Sequence, residues 1–313
     1  MLLALVAAEL GLRVEHSYRR TAIMHEFAGP DEQPTMVPSD IPGLIYTRRP
    51  GTGGANSHGY VDQEHALEKP AGVFRLVVIG DSVALGHGVG PQRSFAKLLE
   101  QSLNRSYSAR KFEVIVLAQS GYGTSQELVV LQREAFQYSP DLILWSYVLN
   151  DPADPVFEGA NGELGLLYEP KCYLLHLAAK AYFRVWEAAK ARGGPQEYHQ
   201  RLHYVHWDEV VENIGRIGRV CRQHGVPAVL VIHPIFEENK SFADYGLAAL
   251  HHRLGALATQ SGLLPLDVLD AYRKYASSAL GLPHDCWHPN ARGHEVAAEF
   301  LHRKLTAAGG LLK

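Results

Sequence analysis

Continuous apolar runs divide the chain from residue 74 onward. Four of them are rich in Val, Ile, Leu and Phe. They span residues 74–79, 112–117, 142–147 and 228–232, and a shorter, weaker run spans residues 263–266. Uninterrupted runs of this length and composition are typical of strands that are buried on both faces of a parallel sheet.

Between these runs, apolar residues recur at helical spacing. The pattern predicts helices over residues 94–103, 125–136, 208–224, 242–259 and 291–305. Alternation of strands and helices predicts a three-layer α/β/α domain, with a mostly parallel, doubly wound sheet and right-handed crossovers.

Two stretches lie outside this alternation. Residues 1–14 are apolar apart from Glu9 and Arg13, and residues 28–72 are rich in Pro and Gly, which predicts an extended arm with turns instead of regular structure. Residues 152–207 form an insertion between the third and fourth strands, with a predicted helix over 173–191. We therefore divide the chain into an N-terminal segment, 1–72, and a main domain, 73–313, whose insertion is either a lid over the active edge or a helical bracket without substrate contact.

Composition narrows the function classes. A chain of 313 residues with 46% hydrophobic content can bury a full core, and its net charge of −3 provides no basic surface for nucleic acid. Three widely spaced cysteines, Cys172, Cys221 and Cys286, argue against a disulfide framework and a structural zinc site.

Polar segments follow three of the predicted strands. Residues 80–82 (Gly-Asp-Ser) follow the first run, residues 120–123 (Ser-Gly-Tyr-Gly) the second, and residues 149–151 (Leu-Asn-Asp) the third. Ligands bind at the carboxyl ends of the strands in such sheets. Ser82, Gly121 and Asn150 are therefore expected at the same edge.

A fourth segment, residues 285–289 (Asp-Cys-Trp-His-Pro), precedes the last predicted helix. A serine hydroxyl needs a neutral base, and His288 is suited to that role, while Asp285 lies one turn earlier and can accept from its Nδ1 proton. Asp81 is expected to be a helix cap or turn residue. Cys286 is expected to be a small buried residue beside the site, because Ser82 has the better context for a nucleophile.

These four segments, in this order, resemble the conserved blocks of the SGNH hydrolases, also called the GDSL esterase and lipase family. The resemblance covers residues 74–307 and implies the flavodoxin-like fold of that family. It implies Ser82 as nucleophile, His288 as base and Asp285 as its partner, with the oxyanion hole formed by Ser82, Gly121 and Asn150. Two positions depart from the family pattern: Val148 stands where a Gly is usual, and Val83 replaces the Leu of the family's name.

The resemblance implies a serine esterase or deacetylase that hydrolyses an oxygen ester through an acyl-serine intermediate and needs no cofactor. Two alternatives keep the same pocket: a carbohydrate O-acyltransferase and a catalytically silent ligand-binding module. The expected partner is a small-molecule, glycan or lipid ester. Acetylated polysaccharide, lipid ester, thioester and peptidoglycan remain open as substrates.

The histidines also allow a metal-centred interpretation, because His284, His288 and His294 are close in sequence. The strand-end ligand signatures of a metallophosphoesterase are missing, so no metal is expected. Four other histidines are expected on solvated helix faces: His224, His251, His252 and His302.

The apolar start of the chain has two interpretations. It is too short to span a bilayer at about 20 residues, and it lacks the basic region of a signal peptide. It is either an amphipathic helix packed on the domain or the end of a membrane anchor, and resemblance to anchored bacterial family members favours the second. With an anchor, the protein is expected to be extracytoplasmic or membrane-anchored; otherwise it is expected to be cytoplasmic.

Overall fold

A computed structural model describes residues 2–26, 35–153, 168–190, 194–237, 240–307 and 311–312. Its centre is a five-stranded sheet in the order β4-β3-β5-β6-β7, and every neighbouring pair is parallel. The strands are β3 (Val73–Gly80), β4 (Lys111–Ala118), β5 (Leu142–Val148), β6 (Ala228–His233) and β7 (Leu264–Asp267). The predicted α/β class and parallel sheet are confirmed, and the strands extend at most two residues beyond the predicted runs.

Helices cover the sheet. The longer ones are α1 (Leu2–Glu26), α3 (Phe95–Ser106), α4 (Thr124–Arg133), α5 (Tyr173–Lys190), α6 (Gly194–Val205), α7 (Trp207–Gln223), α8 (Ala248–Gln260) and α11 (Ala291–Ala307). Three of the described helices are single turns: α2 (Ser82–Leu85), α9 (Leu269–Tyr272) and α10 (Ser277–Leu280). Because α3 packs against α11 while α4 packs against α7, the helices form two outer layers.

One predicted helix is wrong in its first part. Within residues 242–259, a 3₁₀ turn over Phe242–Asp244 ends before α8 begins at Ala248. Tyr245 between them has an extended backbone, and its hydroxyl accepts the N–H of Ile235 at 3.0 Å. This tertiary hydrogen bond anchors the chain where a continuous helix would run.

The N-terminal arm is more regular than its Pro and Gly content predicts. Two short strands, β1 (Met36–Pro38) and β2 (Tyr46–Arg48), pair antiparallel, so the expectation of no regular structure is wrong over these residues. Residues 28–34 of the predicted arm lie outside the described residues. β2 is held against the main domain by hydrogen bonds of Tyr46 with Ser120 and Tyr122.

The N-terminal helix is also longer than its apolar run. α1 extends to Glu26, and the carboxylate of Glu9 accepts the N–H groups of Tyr173 and Leu174 at 3.1 and 3.0 Å, so α1 caps α5. Among the described helices, none combines the length and apolarity that a membrane crossing requires.

The insertion contains α5, as predicted, and also α6, which the sequence did not indicate. Its acidic stretch over residues 154–163 lies outside the described residues. The division at residue 72 and the role of the insertion as a lid stay predictions.

Candidate active site

Ser82 lies directly beyond the sheet. β3 ends at Gly80, and Asp81 caps α2 by accepting the N–H of Val83 at 2.9 Å, as predicted. A Cβ at Gly80 would lie 2.8 Å from the Cβ of Ser146 and 2.9 Å from that of Ala84, so only glycine fits this turn. The tight strand-to-helix turn fixes Ser82 at the carboxyl edge of the sheet, where it is 8% exposed.

Asp285 and His288 meet Ser82 from the other end of the chain. Asp285 Oδ1 accepts the N–H groups of Trp287 and His288, at 2.7 and 3.0 Å, which fixes the carboxylate within its loop. Asp285 Oδ2 lies 2.6 Å from His288 Nδ1, and His288 Nε2 lies 2.8 Å from Ser82 Oγ. Because a carboxylate only accepts, the imidazole proton belongs on Nδ1, and Nε2 is left to accept from the serine hydroxyl.

The charge of Asp285 is maintained despite its partial burial. Burial alone raises the pKa of this carboxyl, but hydrogen bonds from the His288 ring and the Trp287 N–H outweigh it and lower the pKa. Asp285 is therefore ionised at neutral pH and can stabilise a positive imidazole.

Gly121 lies in the turn that follows β4. The Tyr122 N–H donates to the Gln119 carbonyl at 3.2 Å, and the Gln119 N–H donates to the Gly80 carbonyl at 3.2 Å. Gly121 has a φ of 78°, which other residues adopt only with strain. The turn is thus held beside the end of β3.

Asn150 belongs to the loop after β5, which packs on the loop before α4. The Thr124 N–H donates to the Asp151 carbonyl at 3.2 Å, and a Cβ at Gly123 would lie 2.5 Å from that oxygen. Val148 is a fully buried residue of β5 in register with His233, so its place in the chain requires no glycine. Asn150 Oδ1 is buried and has no hydrogen-bond partner among the described residues.

Comparison with known proteins identifies the family of this chain. The GDSL-like Lipase/Acylhydrolase family matches residues 78–296. The chain belongs to this family. Its members are serine hydrolases that act on esters. No curated protein sequence gives a significant match.

The solved structures that match this GDSL-family chain share little sequence with it. The crystal structure of TesA is 17% identical, covers 76% of this chain and 99% of that chain, and has a TM-score of 0.46. A lipase/acylhydrolase from Enterococcus faecalis is 14% identical over 75% and 96% of the two chains, with a TM-score of 0.46. A variant of Axe2, an acetyl-xylooligosaccharide esterase from Geobacillus, is 14% identical over 74% and 94%, with a TM-score of 0.47.

Two buried carboxyl groups lie beneath the sheet edge that carries Ser82 in this GDSL hydrolase, and the sequence did not indicate them. Glu127 and Asp151 are 0% and 2% exposed, and burial raises the pKa of each. The charge of Asp81 raises the pKa of Glu127 further, and the charge of Glu127, followed by that of Asp81, does the same for Asp151. Glu127 Oε2 accepts the indole N–H of Trp145 at 2.6 Å, and Asp151 Oδ2 accepts the Val148 N–H at 3.1 Å. The indole N–H of a tryptophan in a buried strand needs an acceptor, so Trp145 in the third apolar run could have indicated a buried polar partner.

α6 braces the loop that carries Asp285 and His288. The Trp287 indole donates to Nε2 of the fully buried His199 at 3.2 Å. Burial lowers the pKa of His203 to about 3, so this ring is neutral. Its Nδ1 donates to the His199 carbonyl, and its Nε2 accepts from the Tyr147 hydroxyl, both at 2.9 Å. The insertion thus contacts the candidate site through its second helix.

Cys286 is less suited than Ser82 to the role of nucleophile. Burial, followed by the nearby charge of Asp285, raises the pKa of its thiol to about 12. The thiol is therefore protonated at neutral pH, whereas only a thiolate is strongly nucleophilic. All three cysteines are free.

A metal ion would have one candidate position among the described residues. His87, Asp285 and His288 offer ligand atoms within 4.8 Å of one another, and the rings of His87 and His288 lie 4.3 Å apart. His288 already bonds Asp285 through Nδ1 and Ser82 through Nε2. An ion here would displace one of these contacts, so the residues fit a hydrogen-bonded relay better than a metal site.

The expectation that His251 is solvated is wrong. His251 is 2% exposed, and its Nδ1 lies 2.9 Å from Asp267 Oδ1. α8 packs against β7 and brings this histidine inside, whereas its neighbour His252 is exposed.

Proposed function

We propose that the chain is an esterase that hydrolyses an oxygen ester through an acyl intermediate on Ser82. The observation that carries the proposal is the continuous relay from Ser82 Oγ to His288 Nε2 at 2.8 Å and from His288 Nδ1 to Asp285 Oδ2 at 2.6 Å. These distances suit proton transfer by a general base in hydrogen-bond contact with its nucleophile.

In the first step, Ser82 Oγ attacks the ester carbonyl carbon while His288 Nε2 takes its proton. The imidazole becomes positive, and the adjacent carboxylate of Asp285 stabilises that charge. Collapse of the tetrahedral intermediate breaks the bond to the alcohol oxygen, which receives the proton from His288. The acyl group remains on Ser82.

In the second step, His288 removes a proton from water, and the resulting hydroxyl attacks the acyl carbon. The second tetrahedral intermediate expels Ser82 Oγ, which takes back the proton. The products are the carboxylic acid and the regenerated enzyme, so no external cofactor enters the balance.

The negative oxygen formed in both steps needs preorganised donors. Ser82 is the first residue of α2, and N–H groups in the first turn of a helix lack partners within the helix. We assign the oxyanion hole to the N–H groups of Ser82 and Gly121 and the side-chain amide of Asn150. Loss of one such donor typically costs about 3–4 kcal/mol in the barrier.

The test uses p-nitrophenyl esters of increasing acyl length. With an ester whose acyl-enzyme is hydrolysed more slowly than it forms, as the good leaving group p-nitrophenol favours, the enzyme should release a burst of p-nitrophenol equal to the enzyme concentration before the steady rate. The rate should be unchanged by a metal chelator. Activity that depends on a divalent metal and is lost with chelator, or adducts on a residue other than Ser82, would contradict the proposal.

A further inference from the structure

A cavity of about 430 Å³ lies between the N-terminal arm and the main domain. We call it the arm cavity. Its walls come from the arm over residues 41–60, from the turn 119–122 that carries Gly121, and from residues 133–138, which include the last residue of α4. Pockets that hold small molecules have volumes of roughly 300–1,000 Å³. The arm cavity therefore has room for a small organic ligand.

Two residues that line the arm cavity carry buried polar atoms without a hydrogen-bond partner in the described part of the chain. They are Nε of Arg48, which is a donor, and Oε1 of Gln119, which is an acceptor. Gln119 is 2% exposed, so bulk water does not reach most of its side chain. Since buried polar atoms are almost always paired in folded proteins, this pair indicates that a ligand with both acceptors and donors fits between them.

The charges on the walls have both signs. Arg48 and Arg133 line the cavity together with Glu134, whose carboxylate accepts a hydrogen bond from the Tyr60 hydroxyl. An inorganic anion needs donors alone and would leave the acceptors Glu134 and Gln119 without a ligand partner. A hydroxyl group can accept from an arginine and donate to Glu134 or Gln119, so the lining matches a neutral ligand with several hydroxyl groups.

Aromatic rings complete the lining. Tyr60, Tyr122 and Tyr138 contribute to the walls, and His58 lies edge-on to Tyr138 with the ring centroids 5.9 Å apart. The C–H face of a pyranose ring packs well on such apolar rings, while its hydroxyl groups point outward to polar side chains. We propose that the arm cavity binds a neutral sugar unit of a carbohydrate ligand.

The arm cavity is tied to the turn that carries Gly121. The Tyr46 hydroxyl donates to the Ser120 carbonyl at 2.8 Å, and the Tyr122 hydroxyl donates to the Tyr46 carbonyl at 2.7 Å. A sugar in this cavity would contact Tyr122 on the turn and Thr47, the neighbour of Tyr46, on the arm. Binding requires neither Ser82 nor His288, so the proposal stands or falls separately from ester hydrolysis.

The experiment is isothermal titration calorimetry of the full chain with unesterified oligosaccharides. The probes are mannopentaose, xylopentaose and cellopentaose, with inorganic phosphate and trigalacturonate as anionic controls. Arg48→Met and Gln119→Leu each remove one of the unpaired polar atoms. Arg105→Met, on an exposed arginine at the end of α3, is the matched control.

We expect at least one neutral oligosaccharide to bind, with Kd raised at least tenfold by Arg48→Met and by Gln119→Leu and unchanged by Arg105→Met. If Arg48→Met lowers the melting temperature sharply, its Kd no longer reports on the cavity alone, and the Kd of Gln119→Leu is used to test the proposal. Three results would overturn the proposal: no neutral probe binds at about 10 mM, where even a weak site is detected; the anionic controls alone bind; or a neutral probe binds equally well to both cavity variants.

Discussion

Two histidine–aspartate pairs in this chain have nearly the same local chemistry and very different surroundings. His288 Nδ1 bonds Asp285 at 2.6 Å, and His251 Nδ1 bonds Asp267 at 2.9 Å. Asp285 also accepts the N–H of Trp287, while Asp267 also accepts that of Leu269. Each carboxylate thus fixes a backbone turn and orients one imidazole.

The pairs differ at the other nitrogen of the ring. His288 Nε2 meets Ser82 Oγ at 2.8 Å, at the edge of the sheet. His251 Nε2 is buried and has no partner among the described residues, and its side chain is 1% exposed. A histidine–aspartate pair therefore stabilises packing in the interior and supports the proposed chemistry only where a nucleophile and substrate can reach Nε2.

Removal of the Ser82 hydroxyl, which contacts His288 Nε2, is expected to have the largest effect. Ser82→Ala should lower kcat/KM for a p-nitrophenyl ester by roughly 10⁵–10⁶, because the remaining residues cannot form an acyl intermediate. Ser241→Ala, at the cap of the 3₁₀ turn over Phe242–Asp244, removes a hydroxyl outside the proposed relay and should leave the rate unchanged. The melting temperatures of both variants should stay near that of the wild type, and more than about a tenth of wild-type turnover in Ser82→Ala would remove Ser82 from the nucleophile role.

The two aspartates provide a matched test. Asp285→Asn should lower kcat by about 10⁴, because the amide can donate to Nδ1 and so hold the imidazole proton on Nε2, facing the serine. Asp267→Asn should leave kcat within about threefold and reduce stability by roughly 1–3 kcal/mol, since it weakens a buried hydrogen bond. Steady-state kinetics and thermal unfolding of both variants check this, and a large kcat loss in Asp267→Asn would break the comparison.

Asn150→Ala is expected to have a smaller effect on the rate. If its amide donates to the oxyanion, kcat should fall by roughly a hundredfold or more with little change in KM, because this hydrogen bond strengthens only as charge develops. The alternative is that the Asn150 side chain only shapes the loop that enters the insertion, in which case the same change should mainly lower the melting temperature. Near-normal turnover with a lower melting temperature would discard the oxyanion role.

The smallest predicted effect is on the pH dependence of stability. The pKa of Asp285 is lower in the folded chain than the usual value of about 3.9, so its ionisation stabilises the fold above that pH. That contribution is lost as the pH falls through the lower folded pKa. The stability difference between wild type and Asp285→Asn should therefore be larger at pH 6.5 than at pH 3.5 in denaturant unfolding. A difference that grows on acidification would contradict the sign of this pKa shift.

Much of the sheet could be predicted because its strands are local apolar runs, and the positions of Ser82, Gly121 and Asn150 follow from the ends of those runs. The burial of His251 could not be predicted from the sequence, because it depends on how α8 packs on β7. The pairing of β1 with β2 and the contact of His199 with Trp287 likewise join distant segments. Glu127 was missed because its acceptor role appears only when α4 lies against the strand that carries Trp145.

The most direct test is labelling with a fluorophosphonate probe followed by peptide mapping. The probe reacts with a serine only when a base activates its hydroxyl. We predict a single adduct on Ser82, formed in the wild type and in His251→Ala but not in His288→Ala. Absence of an adduct on the folded protein, or labelling of His288→Ala at the wild-type rate, would contradict the claim that His288 activates Ser82.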